Sequence, residues 1–129
     1  MRPSEVLVQF YARLEAGDLM SAVGLLDRDV RWAVNAQDRS AAPWFGIYQG
    51  RREVLNFLEA IATVEFDVLK LLQVVDGENL AIGLFEVEFR GPSGAQVAML
   101  ETQVWRFKAS KVCSVDILLD TAAVGAAFS

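Results

Sequence analysis

Hydrophobic residues near the start of the chain recur every three or four positions, which is the spacing of an α-helix. Residues 4–16 are therefore predicted to form a helix, whose apolar stripe is Val6, Leu7, Phe10, Tyr11 and Leu14. Gly17 is predicted to end this helix in the left-handed conformation, and Asp18 to cap a second, short helix that ends near Leu26. The spacing returns over residues 51–63 and predicts a third helix, whose stripe is Val54, Phe57, Leu58 and Ile61.

After residue 64 the pattern becomes an alternation of hydrophobic and polar residues, typical of β-strands with one buried face. A short strand is predicted at residues 30–35, and four longer ones near residues 65–75, 80–90, 95–108 and 111–119. Turn-forming residues between the four predict an antiparallel meander, and they lie at Asp76-Gly77, Gly91 to Gly94 and Lys108 to Lys111. Helices followed by strands predict one α+β domain over residues 1–129, with the helices packed on one face of a curved, mainly antiparallel sheet.

Residue parity predicts which side chains of this sheet face the helices. On the strand near 80–90 the odd positions are apolar or small, and the charged residues Glu86, Glu88 and Arg90 are even, so the odd face is predicted to be buried. Pairing with the next strand then puts Glu101 beside Phe85, Gln103 beside Gly83 and Trp105 beside Ala81. Two polar side chains are thus predicted to point inward beside small residues, which would leave room for a cavity.

The register of the last strand depends on the turn before it. A three-residue turn would send Val115, Ile117 and Leu119 inward, whereas a two-residue turn would send Ser114, Asp116 and Leu118 there. We favour the first, because it buries the apolar set and leaves Asp116 in water. The loop at residues 36–50 carries Trp44, Phe45 and Tyr48, large rings that a loop over a filled core would not need, so it is predicted to close over the cavity.

Composition narrows the classes of function. The net charge is −5 without acidic or basic runs, and no apolar stretch approaches a membrane span, so neither nucleic acid nor a membrane is an expected partner. The chain has no histidine and one cysteine, Cys113, which is interpreted as a small buried hydrophobic residue. The usual ligand sets for zinc, haem and iron–sulfur clusters are missing, so no metal or other cofactor is expected. No signal peptide is visible, and a cytoplasmic location is expected.

Several segments resemble the SnoaL-like proteins of the nuclear transport factor two-like superfamily, namely "EAGDL", "GIYQGRREV" and "RF" followed by the last hairpin and "LLD". The resemblance covers almost the whole chain. It implies a cone-shaped fold, often a homodimer, whose members include polyketide cyclases, ketosteroid isomerases, limonene-1,2-epoxide hydrolases and dehydratases, and also binding proteins without chemistry.

The catalytic residues of these relatives have no match here. Similar cyclases carry a His and an Asp where this chain has Gln103 and Ile117. The steroid isomerases carry an acid near the position of Gln103 and a base where Val34 and Asn35 stand, and the Arg-x-Asp pair of the epoxide hydrolases would fall within residues 83–87, which contain no Arg. The resemblance therefore transfers the fold and no mechanism.

Glu101 is the main catalytic candidate, because a carboxyl group in an apolar cavity has a raised pKa and can act as a general acid or base. The alternative is a structural carboxylate bonded to Gln103, Tyr11 or a backbone amide. Gln103 and Tyr11 could orient a substrate or only complete the core, and Asp38 is a further candidate base, although loop polarity explains it equally well. The candidate ligand-binding residues are Trp32, Trp44, Tyr48, Phe85, Trp105 and Ile117.

These features predict a cofactor-independent isomerase, cyclase, dehydratase or hydrolase that acts on a small hydrophobic compound of polyketide, terpenoid or steroid type. The alternative is a non-catalytic ligand-binding homodimer of the same fold. A homodimer is expected because the even positions form an apolar patch on the outer face of the sheet, consisting of Ile82, Leu84, Leu100, Thr102 and Val104.

Overall fold

The computed structural model describes all 129 residues and forms one open, six-stranded sheet with four helices. The elements are α1 (Pro3–Glu15), α2 (Leu19–Val23), β1 (Leu26–Val34), β2 (Gly46–Gln49), α3 (Gly50–Ile61), β3 (Phe66–Gly77), β4 (Leu80–Arg90), β5 (Gln96–Lys108), β6 (Lys111–Leu118) and α4 (Thr121–Phe128). The strand order is β2-β1-β6-β5-β4-β3, and only β1 and β6 are parallel neighbours. The predicted α+β fold, with N-terminal helices on a mainly antiparallel sheet, is confirmed. None of the four helices has the length and apolarity needed to cross a membrane.

The first helix is fixed at both ends. At its start, the backbone N–H and the hydroxyl of Ser4 donate to the carboxylate of Asp76 in β3, at 2.7 and 2.6 Å. At its end, Gly17 has a φ of +79°, as predicted, and the Asp18 side chain caps α2 by accepting from the backbone of Ser21 at 3.0 Å. Helix α1 is thereby held against the sheet with Tyr11 directed toward β5.

Strands β4 and β5 pair in the predicted register, with Glu101 opposite Phe85 and Gln103 opposite Gly83. The inward direction of both polar side chains is therefore confirmed. The space beside Gly83 is filled, however, because a Cβ atom there would lie 3.0 Å from the Phe85 ring and 3.3 Å from Leu7. The prediction that small residues leave room at this point is wrong, and the cavity lies elsewhere along the sheet.

The turn before β6 has two residues, not the three that we predicted. Ala109 and Ser110 form it with φ of +49° and +67°, and Lys108 pairs with Lys111 on either side. Both turn residues are left-handed, as in the type I′ turns that suit the twist of a hairpin. A two-residue turn alone would send Asp116 inward, but Asp116 lies on the outer face.

A β-bulge at Cys113 reverses the effect of the short turn. Phe107 pairs with Val112 while Arg106 pairs with Ser114, so one extra residue is absorbed between them. As predicted, Val115 and Ile117 therefore face inward and are buried. Cys113 itself is half-buried at the bulge and its thiol donates to the carbonyl oxygen of Arg106 at 3.4 Å, so its interpretation as a buried core residue is wrong.

The outer position of Asp116 is stabilised by charge. Its carboxylate accepts hydrogen bonds from Arg106 at 2.7 Å, from Asn35 at 3.1 Å and from Arg31 at 3.3 Å. Asp116 is thus held in an ion-pair cluster on the outer face. We expected its carboxylate to be surrounded by water, but three side chains bind it instead.

Two elements were not predicted. Strand β2 lies inside the predicted loop and pairs with β1, where Tyr48 is opposite Trp32. Helix α4 follows the sheet and lies against the hairpin between β4 and β5, where a Cβ atom on Gly91 would be 2.3 Å from the carbonyl oxygen of Ala127. Only glycine permits α4 to lie so close to the hairpin. In this position the ring centroids of Phe128 and Trp44 are 5.9 Å apart.

Candidate functional site

An apolar cavity of about 90 Å³ lies on the helix-covered side of the sheet. Its walls come from α1, α3, the loop before β2 and every strand except β2. Fourteen of the sixteen lining residues are hydrophobic, and the two others are Glu101 and Gln103. The cavity is therefore suited to an apolar molecule that carries a small number of polar atoms.

Gln103 organises the polar end of this cavity. Its side chain is 2% exposed, and its Oε1 atom accepts from the Tyr11 hydroxyl at 2.8 Å and from Nε1 of Trp105 at 3.0 Å. Both donors require a carbonyl oxygen, so the orientation of the amide is fixed and its nitrogen faces Glu101. Nε2 donates to Oε2 of Glu101 at 2.8 Å, whereas Oε1 of Glu101 accepts no hydrogen bond from the protein.

The two ionisable groups of the cavity are both shifted toward their neutral forms. Burial raises the pKa of Glu101, and the hydrogen bond from Gln103 opposes that shift more weakly. Burial also raises the pKa of Tyr11, and the nearby charge of Glu101 adds to the effect. No cationic side chain lines the cavity to favour the ionised carboxylate. Glu101 is therefore a carboxyl group that can hold or release a proton closer to neutral pH than an exposed glutamate.

The predicted ligand-binding residues divide into two groups. Trp32, Trp44 and Ile117 line the cavity. Phe85, Trp105 and Tyr48 do not, and they support the wall from behind: the Phe85 ring packs on Tyr11, Trp105 holds Gln103, and the Tyr48 hydroxyl donates to the Trp44 carbonyl oxygen at 2.9 Å. The aromatic loop therefore contributes one ring to the cavity, that of Trp44.

Asp38 does not line the cavity. It is exposed, and the hydroxyl and backbone N–H of Ser40 bond its carboxylate at 2.6 and 3.0 Å and lower its pKa. A carboxylate in that state lacks both the position and the raised pKa of a buried base. Asp38 therefore lies outside the cavity.

Sequence reasoning did not assign several apolar wall residues to the site, although the pattern contained a signal for some of them. Phe57, Leu58 and Ile61 belong to the predicted stripe of α3, which was expected to be buried but was not connected to the cavity. Other wall residues, such as Leu69 and Met99, face inward by the same strand alternation that predicted Glu101.

Solved structures share this fold. A nuclear transport factor two-like protein of unknown function from Burkholderia pseudomallei is 20% identical, with 98% of this chain and 96% of that one covered at a TM-score of 0.84. A protein from Mesorhizobium loti, provisionally named a SnoaL-like polyketide cyclase, is 15% identical over 92% and 99% of the two chains at a TM-score of 0.72. A provisionally named isomerase from Rhodopseudomonas palustris is 18% identical over 80% and 77% at a TM-score of 0.66. At identities this low, the likeness is evidence for a common fold and gives no evidence about activity.

No curated protein matches the chain. The family model of the SnoaL-like domain matches residues 7–115, from the middle of α1 to the inward-facing Val115 of β6. The matched region contains both polar residues of the cavity and most of its apolar wall. This chain therefore belongs to the SnoaL-like domain family, with the nuclear transport factor two-like fold.

Proposed function

We propose that this protein is a cofactor-independent enzyme that binds a small apolar carbonyl or hydroxyl compound and uses Glu101 as a general acid or base. One observation carries the proposal: a single carboxyl group stands in an apolar cavity, with one oxygen held by Gln103 and the other without a protein partner. Such a group can transfer a proton to or from a bound molecule through its free oxygen. Structural neighbours named as a cyclase and as an isomerase support this class of chemistry.

Among the expected reactions, isomerisation by proton transfer fits the residues best. The ionised carboxylate of Glu101 would take a proton from a carbon atom next to the substrate carbonyl, and the resulting acid would return that proton to a different carbon. The same group acts in both directions, so no second acid or base is required. Gln103 would serve as a positioning residue, because its hydrogen bond fixes which oxygen of Glu101 faces the substrate.

The volume of the cavity favours a compact substrate. At about 90 Å³ it is of the same order as the apolar cavity of about 150 Å³ that takes up benzene in another protein, and it opens to solvent at the exposed lining residue Leu69. Of the compound types that the sequence predicts, a molecule of one ring or less is therefore favoured over one of steroid size.

Deuterium exchange into cyclohexanone tests this proposal without knowledge of the natural substrate. The protein in deuterated water should speed exchange of the protons next to the carbonyl, as followed by NMR. Glu101→Gln should lower that rate by about 100-fold or more, the usual size of a general-base contribution. Glu86→Gln is the matched control, because Glu86 lies on the same sheet and pairs with Leu100 on the outer face. Equal rates for Glu101→Gln and the wild type would refute the acid/base role.

The second candidate function is binding without catalysis. It is favoured by the absence of the His and Asp that similar cyclases carry at the positions of Gln103 and Ile117. In that case cyclohexanone would raise the melting temperature of the protein, but no exchange above the background rate would be measured.

We also propose that two copies pair through the outer face of the sheet. Its apolar patch includes Leu100, which is 60% exposed, and continues onto Leu118 of β6, which is 48% exposed and pairs with Thr102. Patches of this kind on soluble proteins commonly mark an interface. A two-fold pairing of sheet on sheet would cover the patch with an identical one.

A further inference from the structure

Two tryptophans in the cavity wall carry hydrogen-bond donors that no protein group uses. Trp32 and Trp44 both line the cavity, and their side chains are 1% and 6% exposed. The indole Nε1 atom of each is buried and has no protein acceptor. Roughly 90% or more of buried polar groups in folded proteins have a partner, so two unpaired donors in one wall require an explanation.

The third tryptophan shows that unpaired indoles are not a general feature of this chain. Nε1 of Trp105 donates to Gln103 at 3.0 Å, although Trp105 is fully buried and lies behind the cavity wall. Trp32 and Trp105 are close enough for their rings to meet edge to face, with centroids 5.7 Å apart. Within one aromatic cluster, the ring that supports Gln103 has an acceptor and the ring that lines the cavity has none.

The proposed proton transfer needs hydrogen-bond donors at the substrate oxygen, and Glu101 and Gln103 offer at most the second amide hydrogen of Gln103. Removing a proton next to a carbonyl group places negative charge on its oxygen, and enzymes stabilise that charge with fixed hydrogen-bond donors. Tyr11 carries the one hydroxyl group in the wall, but its proton is donated to Gln103. The unpaired indole N–H groups are donors of the required kind, and each indole ring packs against a phenylalanine ring.

We infer that the indole N–H groups of Trp32 and Trp44 bind the carbonyl oxygen of the substrate. This inference rests on the proposed function, because it supplies the donors for the oxygen on which charge develops when Glu101 removes a proton. It assigns the substrate to compact apolar ketones or aldehydes, since a compound without an acceptor oxygen would leave both donors unpaired. A pure hydrocarbon or a compound with donors alone is excluded as the preferred ligand.

Indole signals in ¹H–¹⁵N spectra test this assignment directly, because the chain has three tryptophans, assignable by single Trp→Phe variants. The two probes are cyclohexanone and methylenecyclohexane, in which a CH₂ group replaces the oxygen. Cyclohexanone should move the indole proton signals of Trp32 and Trp44 downfield, and methylenecyclohexane should not. The Trp105 signal is the internal control and should move little with either probe.

Binding affinities give a second, independent measurement. Trp32→Phe and Trp44→Phe keep an aromatic ring and remove the donor, so each should weaken cyclohexanone binding by about tenfold, the effect of one lost hydrogen bond. The affinity for methylenecyclohexane should fall less, because only the smaller ring affects it. Equal losses for both probes would mean that the rings act only by packing and would overturn the inference, as would equal downfield shifts with both probes.

The outcome separates this inference from the proposed function. If the indole signals respond to cyclohexanone but deuterium exchange does not depend on Glu101, the acid/base role fails and the indole site stands. If exchange depends on Glu101 but neither indole responds, only the indole inference fails. If the protein binds neither probe, both are overturned.

Discussion

Gln103 determines the hydrogen-bonding state of its neighbours. Gln103→Leu would leave the Tyr11 hydroxyl and the Trp105 indole without an acceptor, and each such buried donor costs about 1–3 kcal/mol. We expect the free energy of unfolding, measured in urea, to fall by about 3 kcal/mol. Gln73→Leu on the exposed part of β3 is the control and should change it by less than about 0.5 kcal/mol. Similar losses in the two variants would contradict the organising role of Gln103.

Glu101 makes stability depend on pH in a definite direction. Burial raises its pKa in the folded chain above the ordinary value of 4.5, so the folded state holds the proton more tightly than the unfolded state. The stability linked to this group is therefore full below pH 4.5 and is lost as pH rises through the raised pKa. The Glu101→Gln variant does not suffer this loss. Its free energy of unfolding in urea, relative to that of the wild type, should therefore rise between about pH 4 and pH 8.

The outer-face variant Glu86→Gln serves as the control for this pH series. The free energies of unfolding of Glu101→Gln and the wild type could instead differ by the same amount at every pH. That result would show that Glu101 does not titrate in this range with a raised pKa.

At the scale of single residues, the direction of side chains could be predicted and the position of the cavity could not. Glu101 and Gln103 point inward because alternation along a strand is fixed by the backbone. The filling of the space beside Gly83 depends on Leu7, which is distant in sequence and arrives with α1. Local patterns contain no information about such a contact.

At the scale of elements, segments with a strong hydrophobic period could be predicted from the sequence, and segments with a weak period could not. The predicted strand at 80–90 has the bounds of β4, because its alternation is uninterrupted. Strand β2 has four residues and depends on pairing with β1, and α4 is so rich in Ala and Gly that it has no apolar stripe. The bulge at Cys113 also gave no signal, because neither glycine nor proline marks it.

The packing of α4 on the hairpin before β5 gives a prediction for that element. Gly91→Ala would place a Cβ atom 2.3 Å from the Ala127 carbonyl oxygen, so α4 must move away. We expect a loss of about 1–3 kcal/mol, typical of overpacking, and faster amide hydrogen exchange in α4 than in β4. Pro92→Ala in the same exposed hairpin should change neither quantity. Unchanged exchange in α4 of Gly91→Ala would show that the contact does not hold this helix.

At the scale of the whole molecule, the uncovered face of the sheet predicts self-association. We expect sedimentation equilibrium at micromolar concentration to give the mass of a dimer that buries on the order of 800 Å² per subunit. Leu84→Lys combined with Val104→Lys should shift it to monomer, because both residues lie within the apolar patch. The control variant combines Val8→Lys and Met20→Lys, two exposed apolar residues of the helices, and should remain a dimer.

A monomer mass for the wild type would refute the dimer. A dimer that survives the paired lysine substitutions in the sheet would place the interface elsewhere on the molecule.

The fold class and most of its elements were predictable from the sequence, whereas the chemistry of the cavity was not. Element order and strand parity are properties of long stretches, and many residues contribute to each. The proposed reaction would depend on a few atoms, among them the free oxygen of Glu101 and the indole nitrogens of Trp32 and Trp44, whose states are defined only when α1, β1 and β5 are in place.

The bulge in β6 bears on how easily this site could have changed its chemistry in the course of evolution. The bulge at Cys113 sets the pairing of the residues that follow it, with Ile117 opposite Gln103. A one-codon insertion after Ser114 that forms no second bulge would advance the following residues by one position, so that Asp116 takes the place of Ile117 opposite Gln103. A variant with an alanine inserted there should titrate two cavity carboxyl groups in place of one. A single codon thus separates an apolar wall from a two-acid site, and lineages with this fold could exchange the two without rebuilding the core.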